Sequence, residues 1–378
     1  MLAVLTVPPH VQPRPRTSPH HHHLVTAAMH FSIPETEELG DCRAKSYTGY
    51  CLHINGVYHA MVRYRQLHTL NDQLRREFSA STLPAFPPKK LFNLTEKEVE
   101  ERRLMLEKYM QLISQDHRIS NSHTFNAFLL TAQKETRREE IENVTLDVFL
   151  MNEHKLLVNV LSTEQTDAVL DNVCSQLNVP EDLVTCFSLF LIRRDDDGDI
   201  TVLRKLQDFE SPFISQKAVS ASVNSSSDKS LGPVKIMLRK SSWDASLDDV
   251  LLAEASTLNL LYIQTLADLE RGWVLTSAET KQQLALMQAR GSKRQYMEVA
   301  RTLKFYGHML FRACVADHPE PHTRVTVAIG RSSLNLRILN PAGDTREVLN
   351  FFYHLGKFIL CFYKMKAAYL HIHQVKVD

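Results

Sequence analysis

Two strand-like runs, Tyr47–Ile54 and Val57–Tyr64, lie on either side of the dipeptide Asn55-Gly56. Asn-Gly tolerates positive φ at both central positions of a type I′ turn, so it predicts a tight antiparallel hairpin. Apolar residues then recur at helical spacing, at Leu67, Leu70, Leu74 and Phe78. The chain must therefore change from strand to helix within a few residues, and side chains at that junction can splay into a cleft.

The junction carries Arg63-Tyr64-Arg65, and two further basic elements follow it. The loop Leu83–Lys90 contains three prolines and ends in two lysines. Each proline fixes φ and removes a backbone donor, so this loop is stiff. Thr95–Glu98 then has the form of a capping box, which predicts the start of a helix that carries Arg102 one to two turns later. One fold could bring a cation from each of these three elements together.

The charge balance restricts what such a cluster can bind. The net charge is +1, and residues 30–136 contain 14 Lys and Arg against 13 Asp and Glu. This balance excludes the binding of polyanions by bulk charge, so an anion has to be held by a local cluster. We therefore expect a small anionic headgroup as the ligand and no nucleic acid. The six cysteines form no C-x-x-C pair, which is typical of a reduced, intracellular protein.

Motifs of phosphate-handling and hydrolytic enzymes are not found in the sequence. It contains no G-x-x-x-x-G-K-[ST] loop, no G-x-G-x-x-G after a strand and no G-x-S-x-G elbow. Prolines beside His318 and His322 prevent the helical geometry of a zinc motif. We expect no enzyme activity, no cofactor and no metal site.

Three features together resemble the phox-homology (PX) domain, a phosphoinositide-binding module. These features are Arg63-Tyr64, the motif Leu83-Pro84-x-x-Pro87-x-x-Lys90, and Arg102-Arg103. Three longer phrases are similar, more narrowly, to the PX-FERM sorting nexins: Phe31–Glu37, Leu83–Phe92 and Glu107–Gln111. The resemblance extends over about residues 29–346.

The resemblance implies a role for each site residue. Arg63 would hold the 3-phosphate of phosphatidylinositol 3-phosphate, Tyr64 would pack on the inositol ring, Lys89 would reach the 1-phosphate, and Arg102 the remaining ring hydroxyls. Arg65 departs from the wider PX pattern, which usually has serine at this position. It either adds a phosphate contact or is a solvated arginine at the start of the helix.

Apolar side chains flank the loop lysines, at Phe86, Leu91 and Phe92. Apolar residues beside a headgroup site suggest shallow insertion into a bilayer, and Phe86 and Leu91 are the candidates. The alternative is that these side chains pack on the helix that carries Val99 and Leu106, a reading that suits Phe92 at least as well.

The patterns and the resemblance together predict an α+β protein, with a PX domain followed by an atypical FERM module of three lobes. The Ser- and Asn-rich stretch 215–232 has no periodicity and predicts a flexible insert. The expected segments are a disordered extension (1–28), the PX domain (29–137), a ubiquitin-like β-grasp first lobe (140–240), a helical second lobe (241–315), the start of a third lobe (316–346) and a divergent tail (347–378).

The third lobe begins with the strand patterns Arg324–Ile329 and Leu334–Leu339 and then departs from the family. The resemblance implies that relatives complete this lobe with a tryptophan-bearing strand and a closing helix that hold a cargo peptide. Here both tryptophans, Trp243 and Trp273, lie upstream, and the apolar run after residue 347 falls short of the ~20 residues of a membrane span. We expect an alternative carboxyl terminus that binds cargo tails poorly.

The resemblance implies an adaptor on the cytoplasmic side of early endosomes. It would bind membranes that contain phosphatidylinositol 3-phosphate and recycle transmembrane cargo with Asn-Pro-x-Tyr or Asn-x-x-Tyr tails. The alternative is a cytosolic scaffold or decoy isoform. Such a protein would meet lipid, or Ras-like small GTPases through its β-grasp lobe, but would carry no cargo.

Overall fold

The computed structural model describes residues 29–40, 46–79, 82–90, 94–195, 200–224, 231–241, 247–311, 313–316, 320–330, 333–340, 345–352 and 369–370. The predicted extension at residues 1–28, Leu91, Phe92 and most of the tail after Phe352 lie outside these ranges. Among the helices that the structure describes, none has both the length and the apolar character needed to cross a membrane.

The first domain places four strands beside four helices within its described residues. They are β1 (Phe31–Ser32), β2 (Thr36–Leu39), β3 (Tyr47–Ile54), β4 (Val57–Arg63), α1 (Tyr64–Phe78), α2 (Glu96–Gln115), α3 (His117–Ser120) and α4 (His123–Arg137). The central strand is β3, which pairs with β1 and β2 at its opposite ends and with β4 along its other edge. The φ angles of Asn55 (+52°) and Gly56 (+76°) confirm the predicted hairpin turn.

Polar side chains of α2 hold β1 in place. The Ile33 N–H donates to the Glu107 carboxylate (2.7 Å), and the Phe31 N–H donates to Oε1 of Gln111 (2.9 Å). The Arg103 guanidinium donates to the Ile33 carbonyl. One helix thus satisfies backbone groups that a neighbouring strand would otherwise pair, and Phe31 and Ile33 bury their side chains in the core of the domain.

The first lobe has the β-grasp order that the sequence predicts. Its elements are β5 (Asn143–Phe149), β6 (Lys155–Leu161), α5 (Thr166–Gln176), a 3₁₀ helix (Glu181–Cys186), β7 (Phe187–Asp195), β8 (Ile200–Lys205), α6 (Pro212–Asn224) and β9 (Leu231–Lys240). The strand order is β6-β5-β9-β7-β8, and β5 and β9 are parallel. The helix α5 covers the apolar face of this sheet.

The structure corrects the flexible insert predicted at residues 215–232, because most of this stretch belongs to α6 and β9. Ser211 caps the helix by accepting a hydrogen bond from the Ile214 N–H (3.2 Å). Pro212 is the first helical residue, where its missing N–H leaves no bond unmade. Ser215 is buried rather than solvated, so a high serine content did not mean a loop here.

The second lobe packs its helices against the first lobe in one continuous core. The helices are α7 (Asp248–Ala253), α8 (Ala255–Glu270), α9 (Ala278–Ala289) and α10 (Lys293–Ala300). Lys240, at the end of β9, forms a buried ion pair with Asp248 of α7. The Tyr306 hydroxyl donates to the same carboxylate (2.7 Å), so this acid fixes the two lobes together.

The third lobe is a sheet of six strands within the described residues. They are β10 (Met309–Leu310), β11 (Cys314–Ala316), β12 (Thr323–Ile329), β13 (Ser333–Leu339), β14 (Thr345–Phe352) and β15 (Tyr369–Leu370). The two predicted strands correspond to β12 and β13. However, β14 pairs with β13 as far as Phe352, so the sheet continues past the boundary predicted at Arg346. Arg337 stabilises this extension by donating to Thr345 Oγ1 (2.7 Å) and to the Gly272 carbonyl of the second lobe (2.9 Å).

The first domain and the first lobe are joined by the segment Phe209–Ser211, which comes from the lobe. Phe209 belongs to the core of the first domain, and its ring centroid lies 5.6 Å from that of His59. On the other side, Gln133 of α4 accepts a hydrogen bond from the Ser211 N–H (2.9 Å) and donates to Ser215 Oγ (2.8 Å). The two units therefore share both an apolar contact and a buried polar contact.

We predict that Phe209→Ala destabilises the first domain although Phe209 lies outside it. The truncation removes a large ring from a closed core, which typically costs about 3–5 kcal/mol of the free energy of unfolding. Calorimetry of the full chain would measure this loss. The matched control is Leu157→Ala on the exposed face of β6, where 56% of the residue is accessible and little change is expected. Equal transitions for the two variants would show that the domain folds without the segment.

Glu210 gives the joint a dependence on pH. Burial by itself raises the pKa of Glu210, but the Arg204 guanidinium (2.5 Å) and hydrogen bonds from Ser215 and the Gln207 N–H outweigh it, so the net pKa lies below the ordinary 4.5. A carboxyl group whose pKa is lowered by folding stabilises the fold at pH values above its pKa in the unfolded state. This stability is lost as the pH falls through the pKa of the folded state. Unfolding measured from pH 7 to pH 3 should therefore show falling stability below about pH 4.5.

The Glu210→Gln variant should lose less stability between pH 7 and pH 3 than the wild type does. The variant should also lose about 3–5 kcal/mol at pH 7, because Arg204 loses its buried partner. Glu101→Gln changes the same charge at an exposed position and serves as the control. If Glu210→Gln loses as much stability between pH 7 and pH 3 as the wild type does, Glu210 is not the source of the pH dependence.

Candidate functional site

Arg63 ends β4 and immediately precedes α1. Its N–H donates to Oε1 of Gln66 (2.7 Å), which fixes the turn from strand to helix. Every residue of the first turn of α1 is described and none is acidic, so the partial positive charge of the helix N-terminus is not neutralised within that turn. The exposed guanidinium lies over the Tyr47 ring, with Cζ 3.3 Å from the ring centroid. The N-terminus of α1 and the Arg63 guanidinium both favour the binding of an anion at this junction.

Tyr64 connects the junction to the proline-rich loop and to α2. Its hydroxyl donates to the Pro87 carbonyl (2.9 Å). The Arg102 guanidinium lies over its ring, with Cζ 4.3 Å from the centroid, and Nη2 of Arg102 is 3.5 Å from the Pro88 carbonyl. The strand end, the loop and the helix predicted to supply the site therefore meet at Tyr64. Burial raises the pKa of the Tyr64 hydroxyl, so it stays a neutral donor.

The two loop lysines have different surroundings. Lys90 pairs with Glu98 (2.5 Å), the residue that closes the capping box with Thr95. The hydrogen bond from Lys90 and those from Thr95 lower the pKa of Glu98 to about 2, so this carboxylate is charged at any physiological pH. Lys89 is exposed at the neighbouring position, next to the Pro88 carbonyl that Arg102 approaches. Lys89 is thus better placed than Lys90 to meet an external anion.

Arg65 and Arg103 lie on helices beside these residues but differ in role. Arg65 is exposed in the first turn of α1, and its carbonyl accepts a hydrogen bond from Thr69 (3.0 Å). Both interpretations offered by the sequence remain open for this side chain. Arg103 is held between Glu100 (2.6 Å) and the Ile33 carbonyl, so it supports β1 rather than the candidate site.

Phe86 is not placed as a freely inserting side chain. Its ring centroid lies 4.9 Å from that of Tyr109, in an edge-to-face contact, and 5.7 Å from those of Tyr64 and His68. The residue is half-buried against the core of the first domain. Phe86 therefore packs inward, against the rings of Tyr64 and Tyr109. A stiff loop can present an aromatic ring inward as readily as outward. Leu91, the other insertion candidate, lies outside the described residues.

Tyr47 is a site residue that the sequence reading missed. A two-residue turn at Asn55-Gly56 predicts that Arg63 faces residue 48, but a bulge in β4 shifts the pairing so that Arg63 faces Gly49. Gly49 carries no side chain, and the guanidinium can lie on the ring of Tyr47, two residues along the same strand. The sequence signal was an aromatic residue near the predicted partner of Arg63, but the bulge could not be read from it.

Among the described residues, no group of three or more His, Cys, Asp or Glu side chains could hold a metal ion. Guanidinium forks, a lysine and a helix N-terminus can bind phosphate groups, while tyrosine faces can pack on a ring.

Family models match the chain over four consecutive segments. The model of the PX domain matches residues 52–132. Models of the sorting nexin 17/27/31 FERM F1 lobe and of the sorting nexin 17/31 F2 lobe match residues 144–243 and 244–304. The model of the sorting nexin 17 FERM C-terminal domain matches residues 307–352, which is the range in which β10–β14 lie.

Two curated relatives are similar to most of this chain. Sorting nexin-17 of Homo sapiens is 48% identical over 320 residues, which cover 84% of this chain and 66% of that protein. Sorting nexin-31 of Homo sapiens is 33% identical over 321 residues, covering 85% of this chain and 70% of that protein. The chain thus spans just under two thirds of the length of the sorting nexin-17 relatives.

Among solved structures, a designed CISK-PX domain is similar to 26% of this chain and 95% of its own, at 25% identity and a TM-score of 0.24. This structural similarity is too low to support an argument, and the sequence relationships carry the assignment. On their evidence, the chain belongs to the PX-FERM sorting nexins, with a PX domain followed by F1, F2 and C-terminal FERM lobes.

Proposed function

We propose that this protein is an endosomal sorting adaptor whose PX domain binds phosphatidylinositol 3-phosphate on the cytoplasmic face of early endosomes. The observation that carries the proposal is the junction at which Arg63 ends β4 and Tyr64 begins α1, with Arg102 stacked on Tyr64. Lys89 is exposed on the loop whose Pro87 carbonyl accepts a hydrogen bond from Tyr64. Family membership supports the trafficking role, since the relatives are sorting nexins. No enzyme activity is proposed for the chain.

The distribution of charge supports a lipid headgroup as the ligand. Each site arginine lies on a tyrosine ring, at 3.3 Å for Arg63 and 4.3 Å for Arg102, which orients the guanidinium. Among the ion pairs between described residues, none involves either of these two side chains. An oriented guanidinium can bind a phosphate through two hydrogen bonds. Because the net charge of the domain is balanced, it needs such local contacts to hold an anion. Tyr64 keeps part of its surface accessible beside these cations.

The FERM module supports a second part of the proposal, the recruitment of transmembrane cargo tails. A tail of the Asn-Pro-x-Tyr type typically adds a strand to a sheet edge and places its side chains against a neighbouring helix. The described third lobe offers a sheet with β14 at one edge, but from Met309 onward its described regular elements are all strands. This feature favours the alternative function, a scaffold or decoy that binds lipid without cargo, as the second candidate.

We predict that Arg63→Ala weakens the binding of the full chain to liposomes with phosphatidylinositol 3-phosphate at least tenfold. A charge-assisted contact to phosphate is worth about 1.5–3 kcal/mol, and about 1.4 kcal/mol corresponds to tenfold. Sedimentation with liposomes of graded lipid content measures the change. The matched control is Arg76→Ala, which removes the same charge from the last turn of α1, roughly 20 Å away along the helix.

Arg65→Ala in the same assay separates the two interpretations of Arg65. A loss well beyond that of Arg76→Ala assigns Arg65 to the phosphate site, and equal binding makes it a solvated arginine. If Arg63→Ala binds as well as Arg76→Ala, the proposed headgroup site is wrong.

We also predict that the chain binds a tyrosine-motif tail peptide poorly. Isothermal titration of the purified chain with an Asn-Pro-x-Tyr peptide should give at least tenfold weaker binding than a hybrid chain. That hybrid carries a full-length sorting nexin-17 third lobe in place of residues 307–378. If the chain and the hybrid bind the peptide with comparable affinity, the decoy function is refuted and the cargo-adaptor function is favoured.

A further inference from the structure

Helix α2 carries an exposed stripe on the side that faces away from the core of the PX domain. This α2 stripe consists of Glu101, Leu104, Met105, Lys108 and Leu112. Between 40% and 50% of each of its three apolar residues is accessible. At about 100° of rotation per residue, all five lie within about 100° of the helix circumference, and the core residues of α2 lie on the other side. Large apolar side chains that are exposed together commonly mark an interaction surface.

The two charged residues of the α2 stripe have opposite signs. Glu101 lies one turn before Leu104, and Lys108 lies one turn after it. Three other acids of α2 are paired within the chain, but among the ion pairs between described residues none involves Glu101 or Lys108. Side chains pair along one helix at spacings of three or four residues, so these two, seven residues apart, are not placed to neutralise each other. Both charges can therefore meet an external partner.

This order of charges is complementary to itself when two copies of the helix pack antiparallel. If a twofold axis passes between Leu104 and Met105, Glu101 of each helix faces Lys108 of the other, because both residues lie at the same distance from the axis. Two reciprocal ion pairs then flank an apolar centre to which each copy contributes Leu104 and Met105. A parallel pair in register would instead place each charge beside its own kind, which is unfavourable.

The antiparallel arrangement also keeps the two candidate headgroup sites on one side of the pair. Arg102 lies about 110° around α2 from the middle of the stripe, so its position is almost perpendicular to the direction of the contact. The twofold axis of two helices packed side by side is normal to the plane that contains them. Rotation about this axis leaves both Arg102 residues on the same side of that plane. The two sites can therefore meet one flat membrane.

We propose that the α2 stripe is the interface through which two copies of this chain form an antiparallel dimer. One helix face from each copy buries less than the ~1,200 Å² of a standard interface, so the dimer is weak in solution. On a membrane the second headgroup contact becomes intramolecular, which strengthens the pair. Dimer formation itself does not depend on the headgroup, and only this strengthening rests on the proposed function.

The test is sedimentation velocity of the full chain over a concentration series, in which the wild type should shift toward the dimer as the concentration rises. Glu101→Lys and Lys108→Glu should each dimerise at least about tenfold more weakly, because both reciprocal contacts become repulsive. An equimolar mixture of the two variants should dimerise again, since every charge then faces its opposite. A general effect of either substitution on the fold predicts no such rescue.

Leu104→Ser removes the apolar centre from both copies and should also weaken the dimer at least about tenfold. The matched control is Leu286→Ser, which removes an equally exposed leucine from α9 in the second lobe and should leave dimerisation unchanged. A wild-type chain that stays monomeric throughout the series would overturn the inference. So would a mixture of the charge variants that dimerises no better than either one alone, or equal dimerisation of Leu104→Ser and Leu286→Ser.

Binding to liposomes with phosphatidylinositol 3-phosphate separates the dimer from the function of the PX domain. Leu104→Ser should bind these liposomes more weakly than Leu286→Ser, with unchanged affinity for a soluble headgroup, because it loses only the second contact. If Arg63→Ala binds liposomes normally but still dimerises, the headgroup site is wrong and the dimer stands. If Leu104→Ser loses liposome binding while the wild type is monomeric, the stripe contacts the membrane itself, and the dimer is refuted.

Discussion

The β-bulge at His59 is the constraint on which the first domain and its candidate site depend. On β4 this residue is left unpaired, since Tyr58 faces His53 and Ala60 faces Leu52. The extra residue shifts the rest of the strand by one position. Ala60 and Val62 then lie opposite Leu52 and Tyr50 in the core, and Arg63 emerges exposed at the start of α1.

The bulge is held in place by contacts from distant parts of the chain. Nε2 of His59 bonds to the Leu129 carbonyl of α4 (2.9 Å), and the imidazole ring packs on Phe209, which the first FERM lobe supplies. Burial lowers the pKa of His59, so the ring is neutral and can fit this apolar site. The register that presents Arg63 therefore depends on α4 and on the joint with the next lobe, and not on the hairpin alone.

Buried ion pairs occur at the joint and at the contact between the F1 and F2 lobes. Arg204 and Glu210 lie at the joint with the PX domain, and Lys240 and Asp248 lie between F1 and F2. Arg239 and Asp268 (3.2 Å) form a third pair between the same two lobes. Such pairs gain little stability over an apolar contact, but breaking one of them is costly, so the two pairs that join F1 to F2 help to fix how those lobes meet. Arg204 and Glu210 both belong to F1, and the polar contacts that cross to the PX domain are those of Gln133 with Ser211 and Ser215. The apolar cores supply most of the stability.

Local patterns in the sequence determined a large part of this protein. Asn55-Gly56 specified the hairpin, Thr95–Glu98 specified the start of α2, and apolar periodicity indicated the strands and helices of the first two lobes except α6. Arg63 and Arg102 could be named as site candidates because each lies near the start of a helix that the sequence marks clearly, and Tyr64 because of the resemblance to the PX domain.

The tertiary structure alone decided the features that depend on distant residues. The bulge at His59, the inward packing of Phe86 on Tyr109, the helix that contains Ser215 and the extension of the third-lobe sheet by β14 all rest on non-local contacts. The reason is physical: turns, caps and periodicity are set by neighbours within a few residues, whereas register and burial are set by what the fold brings against a residue from elsewhere in the chain.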